Sequence, residues 1–172
     1  MDPVILLGVP FVTSAFDFLF RRAETLIDRR ASKGADKDEN VADTSILEGT
    51  LQPLKVDERA LERYGDELMR LYGGLSTYSR ERSRITTEDE ALRERLGELR
   101  VILEHIYGQR ITFKGENRPL SGSRVDQDVE TAEGPMVGID AKRIHGSADV
   151  VQRVGRVTET GSVTGIKAED LW

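Results

Sequence analysis

Apolar residues recur at helical spacing in two consecutive stretches of the chain, within residues 57–107. The steps between them alternate between three and four residues, which is the a/d spacing of a coiled-coil seam. The short polar run Ser79–Thr86 separates the two stretches, and a connection of that length predicts an antiparallel helical hairpin over residues 57–108. The seam positions are Leu61, Tyr64, Leu68, Leu71, Leu75 and Tyr78 in the first helix, and Leu92, Leu96, Leu99, Leu103 and Ile106 in the second.

The ends of the two predicted helices are marked by capping residues. Asp57 is a favourable N-cap for the first helix, and Thr87 with Glu90 has the spacing of a capping box for the second. Gly108 is placed to end the second helix. The pair Gly73–Gly74 falls inside the first helix and costs about 2 kcal/mol relative to alanine. It predicts a break, a kink or a close approach by another backbone.

The most apolar stretch of the chain, Val4–Phe20, precedes the hairpin. Its basic residues follow the apolar run instead of preceding it, unlike those of a secretory signal, so we expect neither cleavage nor export. With 17 residues, and with Pro10 and Asp17 among them, it is also a poor membrane span. We expect a short apolar lead that Pro10 interrupts, and then a helix from about Thr13 or Ser14 to about Ala31. Residues 1–31 thus form an amino-terminal arm and helix.

The predicted amino-terminal helix is amphipathic, which leaves three interpretations open. A two-helix hairpin cannot cover both sides of its seam, so this helix completes a three-helix core, or a second subunit closes the seam. Alternatively, the apolar face lies in a membrane interface, with arginines at the level of the lipid headgroups. The residues on that face are Phe16, Leu19, Phe20, Ala23 and Ile27.

The remaining segments differ in pattern from the helices. Residues 32–56 predict a linker, since the run up to Ser45 is highly charged and has no apolar period. After Gly108 the period changes to two, and Arg110–Lys114 alternates as a strand does. Residues 109–172 therefore predict a small all-β domain of about six short strands. The predicted fold class is α+β.

An imperfect internal repeat lies within the predicted β domain. Residues 134–144 align with residues 161–171 at an offset of 27, with identities at two glycines, one isoleucine and one alanine. Repeats of this period indicate stacked units, so the domain is solenoid-like, with the valines of residues 150–157 as a middle layer, or it is a small barrel.

Composition and motifs exclude several chemistries. The net charge of −6 argues against nucleic-acid binding, and the absence of cysteine fits a reducing, cytoplasmic compartment. The two histidines, His105 and His145, are too few and too isolated for a zinc site. The alternating acidic residues Asp126, Asp128 and Glu130 lack a calcium-loop context and predict a solvated strand face that guards an edge. The sequence thus predicts no catalytic, cofactor-binding or metal-ligating residue.

These observations favour a non-enzymatic scaffold or adaptor that acts through protein–protein contacts, by self-association or by docking on a larger assembly. The first alternative is a peripheral membrane protein at the inner face of the membrane, anchored by residues 4–27. The second is a small-ligand sensor or enzyme that uses the β domain. The predicted contact residues are Val4, Ile5, Leu6, Leu7, Phe11, Phe16, Leu19 and Phe20 in the arm, and Leu61, Tyr64, Leu68, Leu71, Leu96, Leu99 and Leu103 in the hairpin seam.

Overall fold

The computed structural model describes residues 9–32, 44–144 and 147–171. Three helices come first: α1 (Val9–Ser32), α2 (Glu58–Arg80) and α3 (Glu90–Tyr107). Five strands follow: β1 (Gln109–Arg110), β2 (Gly122–Ala132), β3 (Pro135–Ile144), β4 (Ser147–Val157) and β5 (Ser162–Leu171). A 3-10 helix, Arg82–Arg84, lies between α2 and α3. The predicted α+β class is confirmed.

Helix α1 includes residues that the sequence pattern assigned to the apolar lead. The chain is helical from Val9 onward, so Pro10 lies within the helix and the prediction of a start near Thr13 or Ser14 is wrong. Proline is compatible with the start of a helix, where backbone N–H groups have no intrahelical acceptor. The apolar face of α1 packs against both α2 and α3. Its fully buried residues are Val12, Ala15, Phe16, Leu19, Ala23 and Leu26.

Helices α2 and α3 run in opposite directions. The backbone N–H of Asp57, before α2, donates to the carbonyl of Ile106 near the end of α3 at 2.8 Å. At the other end, the Tyr78 hydroxyl donates to Asp89, before α3, at 2.8 Å. Each end of α2 is therefore tied to the opposite end of α3, and the seam side chains face each other and α1 in one core.

The caps of these helices agree with the sequence at two of three positions. The Asp57 side chain accepts hydrogen bonds from the N–H groups of residues 59 and 60, and Gly108 ends α3 with φ of 59°. Asp89, not Thr87, is the N-cap of α3, because its carboxylate accepts from the Leu92 N–H at 2.9 Å. Asp89 thus plays the role that the predicted capping box assigned to Thr87, but two residues later and for a different donor, the Leu92 N–H instead of the Glu90 N–H.

Of the three outcomes predicted for Gly73–Gly74, the break is wrong, because α2 is continuous through both residues. A Cβ atom at Gly73 would meet no other heavy atom within 4 Å. The buried side chains of Leu71 and Leu75 on either side anchor this part of α2 in the core, which offsets the low helix propensity of glycine.

The part of the predicted linker that the structure describes belongs to the core. Leu47, Leu51 and Leu54 are buried there, and Leu47 forms an isolated antiparallel bridge with Phe113. The predicted strand Arg110–Lys114 is correspondingly shorter, since β1 ends at Arg110. Residues 44–56 and 111–121 pair as irregular backbone, in which side chains supply part of the hydrogen bonding.

Strands β2 to β5 are longer than predicted and pair in parallel. β2 pairs with β4, with Gly122 opposite Ser147, and β3 pairs with β5, with Pro135 opposite Ser162. Ile139 lies opposite Ile166, so the register is the offset at which the two segments resemble each other in sequence. The valines of β4 pair with β2 and form no layer between β3 and β5, so that prediction is wrong.

Candidate interaction surface

The predicted arm residues fall into three groups. Val4, Ile5, Leu6 and Leu7 lie outside the described residues. Phe16, Leu19 and Phe20 are buried, and Phe20 stacks on Tyr72 of α2 with ring centroids 4.7 Å apart. Phe11 is 41 % exposed. Among the arm residues that the structure describes, Phe11 is therefore the one that reaches the surface.

The predicted seam residues are all part of the chain's own core. Tyr64 is half-buried and packs against that core, and the other six are buried. A partner would contact them only after α1 or α3 had moved away. The buried six are Leu61, Leu68, Leu71, Leu96, Leu99 and Leu103.

A buried charged cluster that the sequence analysis missed joins α3 to the strands. The Glu104 side chain, 1 % exposed, accepts hydrogen bonds from the Ile111 N–H at 2.9 Å, Arg118 Nη2 at 3.1 Å and Arg124 Nη1 at 3.2 Å. One turn earlier, Arg100 Nη1 donates to Glu116 Oε1 at 2.6 Å. Burial lowers the pKa of the Arg100 guanidinium, and the Glu116 carboxylate opposes that shift.

The charged groups of this cluster bind one another and the backbone of the chain. Glu116 also accepts from the Phe113 N–H at 2.8 Å, so the two carboxylates hold the irregular backbone between β1 and β2. Its only signal in the sequence was the pair Arg100 and Glu104, four residues apart between seam positions. Such a pair usually indicates an exposed helix face.

A second ion pair fixes β4 to the start of the strand region. Arg110 of β1 pairs with Asp149 of β4, although β1 forms its strand hydrogen bonds with β2. Arg124 lies opposite Asp149 in the β2–β4 register and contacts Glu104 of α3. These charges orient the strand pairs relative to the helices from one end.

Two glutamines connect the two sheets. Gln127 of β2 and Gln152 of β4 are register partners, and Gln152 Nε2 donates to Gln127 Oε1 at 2.8 Å. Each also reaches the opposite sheet: Gln127 donates to the Val137 carbonyl at 3.1 Å, and Gln152 to the Thr164 carbonyl at 3.2 Å. The acceptors Val137 and Thr164 are themselves register partners. The glutamine side chains therefore lie between the sheets.

The glutamines are flanked by valines that occupy the same face of each strand. Side chains two residues apart share a face of a strand, so Val125 and Val129 lie beside Gln127, and Val150 and Val154 lie beside Gln152. The register places Val125 opposite Val150 and Val129 opposite Val154. This Val-x-Gln-x-Val match has an offset of 25, which is why it did not appear in an alignment at 27.

The pair β4 and β5, which we call the terminal strand pair, has open edges. In the range that the structure describes, β4 pairs on one side with β2, β5 pairs on one side with β3, and neither has a strand on its other side. Among the side chains of this pair that the structure describes, three apolar ones are exposed: Val157 at 48 %, Val163 at 40 % and Ile166 at 38 %. Ala132, the β2 partner of Val157, is 5 % exposed.

The opposite edge, on β2, differs in chemistry. β1 pairs with its first two residues, and the exposed acidic residues Asp128 and Glu130 follow in a strand that also contains Asp126. Acidic side chains along an edge disfavour pairing with another strand. The edge of β4 is therefore less protected by acidic side chains than the edge of β2.

A surface cavity of about 480 Å³ lies where the extended segment meets the end of α3. Gln52 and Gln109 bond to each other across it, through Gln52 N–H to Gln109 Oε1 at 2.8 Å and Gln109 Nε2 to the Gln52 carbonyl at 3.1 Å. Lys55 supplies the charge in a lining that is otherwise neutral, and this combination does not identify a ligand class. The lining residues are Gln52, Pro53, Lys55, Tyr107, Gly108, Gln109 and Ser123.

The histidines, possible metal ligands and possible membrane-spanning helices were the remaining features to locate in the structure. His105 Nδ1 lies 2.7 Å from the Val101 carbonyl within α3, and His145 is outside the described residues. In the described ranges, no group of three or more histidine or carboxylate side chains is arranged to hold a metal ion. No helix among the same residues has the length and apolar character that a membrane crossing requires.

Comparison of the chain with protein-family models, with curated proteins and with solved structures finds no match.

Proposed function

We propose that this chain is a non-enzymatic adaptor or scaffold subunit whose protein contacts run through the terminal strand pair. The observation that carries the proposal is the combination of unpaired edges on β4 and β5 with exposed Val157, Val163 and Ile166. Unpaired strand edges offer rows of backbone donors and acceptors to another protein. Exposed apolar side chains beside them add the area that such a contact buries.

We further propose that the two strand pairs are successive coils of a short solenoid. Three observations support this: parallel pairing, a glutamine and valine interior, and sequence offsets of 25 and 27 within the two sheets. In a solenoid, each coil covers the apolar surface of the one before it, and the last needs a cap or a partner. The terminal strand pair is the last described coil.

The membrane alternative has less support. An interfacial helix needs its aromatic face free, whereas Phe16 and Phe20 are buried between α1 and the other helices. The adaptor proposal uses side chains that are already exposed.

Photo-cross-linking in cells tests the adaptor proposal. A photoreactive amino acid replaces Ile166 in the full chain, and a control chain carries it at Met69, an exposed apolar residue on α2. We expect discrete covalent adducts from position 166 and a much weaker yield from position 69. Equal yields from both positions, or no adduct at 166, would contradict the proposal.

A further inference from the structure

We infer that the partner of the terminal strand pair is a second copy of this chain, an inference that rests on the adaptor function proposed above. In this assembly β4 of one copy lies antiparallel to β4 of the other. The two-fold axis passes between the Gln152 residues of the two copies. Both copies thus use the same surface, as a closed symmetric dimer requires.

The interior residues of β4 are suited to this pairing because their order is palindromic. Val150, Gln152 and Val154 read the same in both directions. An antiparallel copy centred on Gln152 therefore sets valine opposite valine and glutamine opposite glutamine. The same Val-Gln-Val contacts already stack β4 on β2 within one chain.

The other face of β4 has charges that are compatible with the same register. Val151 lies opposite Arg153 of the second copy, and Asp149 lies opposite Gly155. Asp149 and Arg153 of different copies become diagonal neighbours, a position in which opposite charges attract. No like charges are directly opposite each other among residues 149–155.

The strand length and the exposed apolar residues fit this axis as well. β4 extends from Ser147 to Val157, so Gln152 is its central residue and the whole strand can pair. Val157 then meets Ser147 of the second copy. The exposed side chain of Val157 thus lies opposite a small residue, which leaves room for it to pack.

The same axis places β5 in a similar arrangement. Gln152 donates to the Thr164 carbonyl at 3.2 Å, so we place the crossing of the axis with β5 at Thr164. Antiparallel pairing about Thr164 sets Val163 opposite Gly165 and Ile166 opposite Ser162 of the second copy. Both exposed apolar residues of β5 are covered.

The edge of β2 is less suited than the edge of β4 to pairing with a second copy. Val125, Gln127 and Val129 form the same palindrome. Pairing two copies about Gln127, however, would set Asp126 of one chain opposite Asp128 of the other, twice in each dimer. Like charges directly opposite each other destabilise strand pairs, so this edge rejects the pairing that the β4 edge permits.

Light scattering on the full chain across a concentration series tests the inference. We expect the mass to reach twice the chain mass of 19.3 kDa and to remain there. Val151→Arg places an arginine opposite Arg153 of the second copy at two positions related by the two-fold axis. We expect the dissociation constant of the dimer to rise about tenfold. Val151→Gln, the matched variant, adds a long polar side chain without a charge opposite Arg153 and is expected to retain the dimer.

The first variant does not threaten folding, because Val151 is only half-buried and lies on the face of β4 opposite to that of Gln152. Circular dichroism should therefore be unchanged. A wild-type chain that remains monomeric, or an unaltered dimer in Val151→Arg, overturns the inference. So does a mass that grows beyond the dimer, because pairing of β4 with β4 about a two-fold axis closes after two copies.

Failure of this inference and failure of the adaptor proposal give different results. A monomeric chain that still forms adducts with other proteins at position 166 eliminates the second copy but retains the adaptor. Absence of adducts at position 166 eliminates both.

Discussion

Gln152 donates a hydrogen bond of 2.8 Å to Gln127, the residue directly opposite it in the parallel register of β4 and β2. Each amide also bonds to a carbonyl of the facing sheet. One pair of side chains thus ties neighbouring strands and opposing sheets together, where apolar packing alone would leave sliding between the sheets unopposed.

Replacing either glutamine by leucine should destabilise the strand pairs by about 1 kcal/mol, because its amide partner loses a hydrogen bond. The double replacement should cost less than the sum of the single ones by at least about 0.5 kcal/mol, since both partners are removed together. Urea denaturation of the four chains measures this coupling. Strictly additive effects would mean that the two amides act independently.

Glu104→Leu should be far more damaging than its position on a helix indicates. The variant leaves Arg118 and Arg124 without their shared carboxylate and the Ile111 N–H without its acceptor. Removing one member of a buried ion pair costs about 3–5 kcal/mol. Glu98→Leu, at a partly exposed carboxylate of the same helix, is the control and should change the unfolding free energy by less than about 1 kcal/mol.

Asp89 should contribute to the pH dependence of stability. The hydrogen bond from the Leu92 N–H lowers the pKa of its carboxyl below the usual value. The carboxylate therefore stabilises the fold above the unfolded pKa of about 3.9, and this contribution is lost as the pH falls through the lower, folded pKa.

Two substitutions of Asp89 distinguish the contribution of its N-cap hydrogen bond to stability from that of its negative charge. Asp89→Asn retains an acceptor for the Leu92 N–H but not the second oxygen that accepts from the Tyr78 hydroxyl, so it should flatten the acid side of the stability profile and lose less stability near pH 7 than Asp89→Ala. Asp89→Ala should lose about 1 kcal/mol near pH 7 as well. Thermal unfolding from pH 7 downward distinguishes the two, and parallel acid limbs for wild type and Asp89→Asn would contradict the assignment.

Gly73→Ala should stabilise the protein. The position is helical and exposed, and an added Cβ meets no atom within 4 Å. Alanine in a helix interior is favoured over glycine by about 1 kcal/mol, so chemical denaturation should shift to higher midpoints. Gly65→Ala is the opposite case, because its Cβ would lie 2.5 Å from Arg30 Nη1, so its gain should be smaller or reversed.

Phe16 and Phe11, both assigned to the arm from the sequence, should differ sharply on truncation. Phe16→Ala removes a fully buried ring and should cost about 3–5 kcal/mol, whereas Phe11→Ala should remain within about 0.5 kcal/mol of wild type. Calorimetry compares the two. Similar values would mean that α1 contributes no more to the core at Phe16 than at Phe11.

The helices were largely predictable from sequence because their apolar periods are long and their caps local. The steps of three and four located the seam, and Asp57 and Gly108 located two helix ends. The start of α1 is not evident from the sequence because Pro10 predicts a break, whereas proline is tolerated near a helix start. The Glu104 cluster was missed because its arginines are 14 and 20 residues away on another part of the chain.

The strands were less predictable, since parallel partners are distant in sequence and their interior is partly polar. Glutamine at the position where an apolar residue is expected conceals the alternation in β2 and β4. The candidate surface was assigned from the structure alone, because an unpaired edge is defined by which strands are absent beside it, and a single sequence carries little information about that.

The turns between the strands differ in length, with two residues between β2 and β3 and four between β4 and β5. That difference is why partners are 25 positions apart in one sheet and 27 in the other. Each sheet maintains its own register, so residues gained or lost at the turn leave both registers intact. A change in the length of residues 158–161 would therefore cost only the bonds of that turn, such as those from Thr158 to Ala132 and from Thr160 to Glu133. A single-residue insertion inside β4, before Gln152, would instead turn Gln152 outward and expel it from between the sheets.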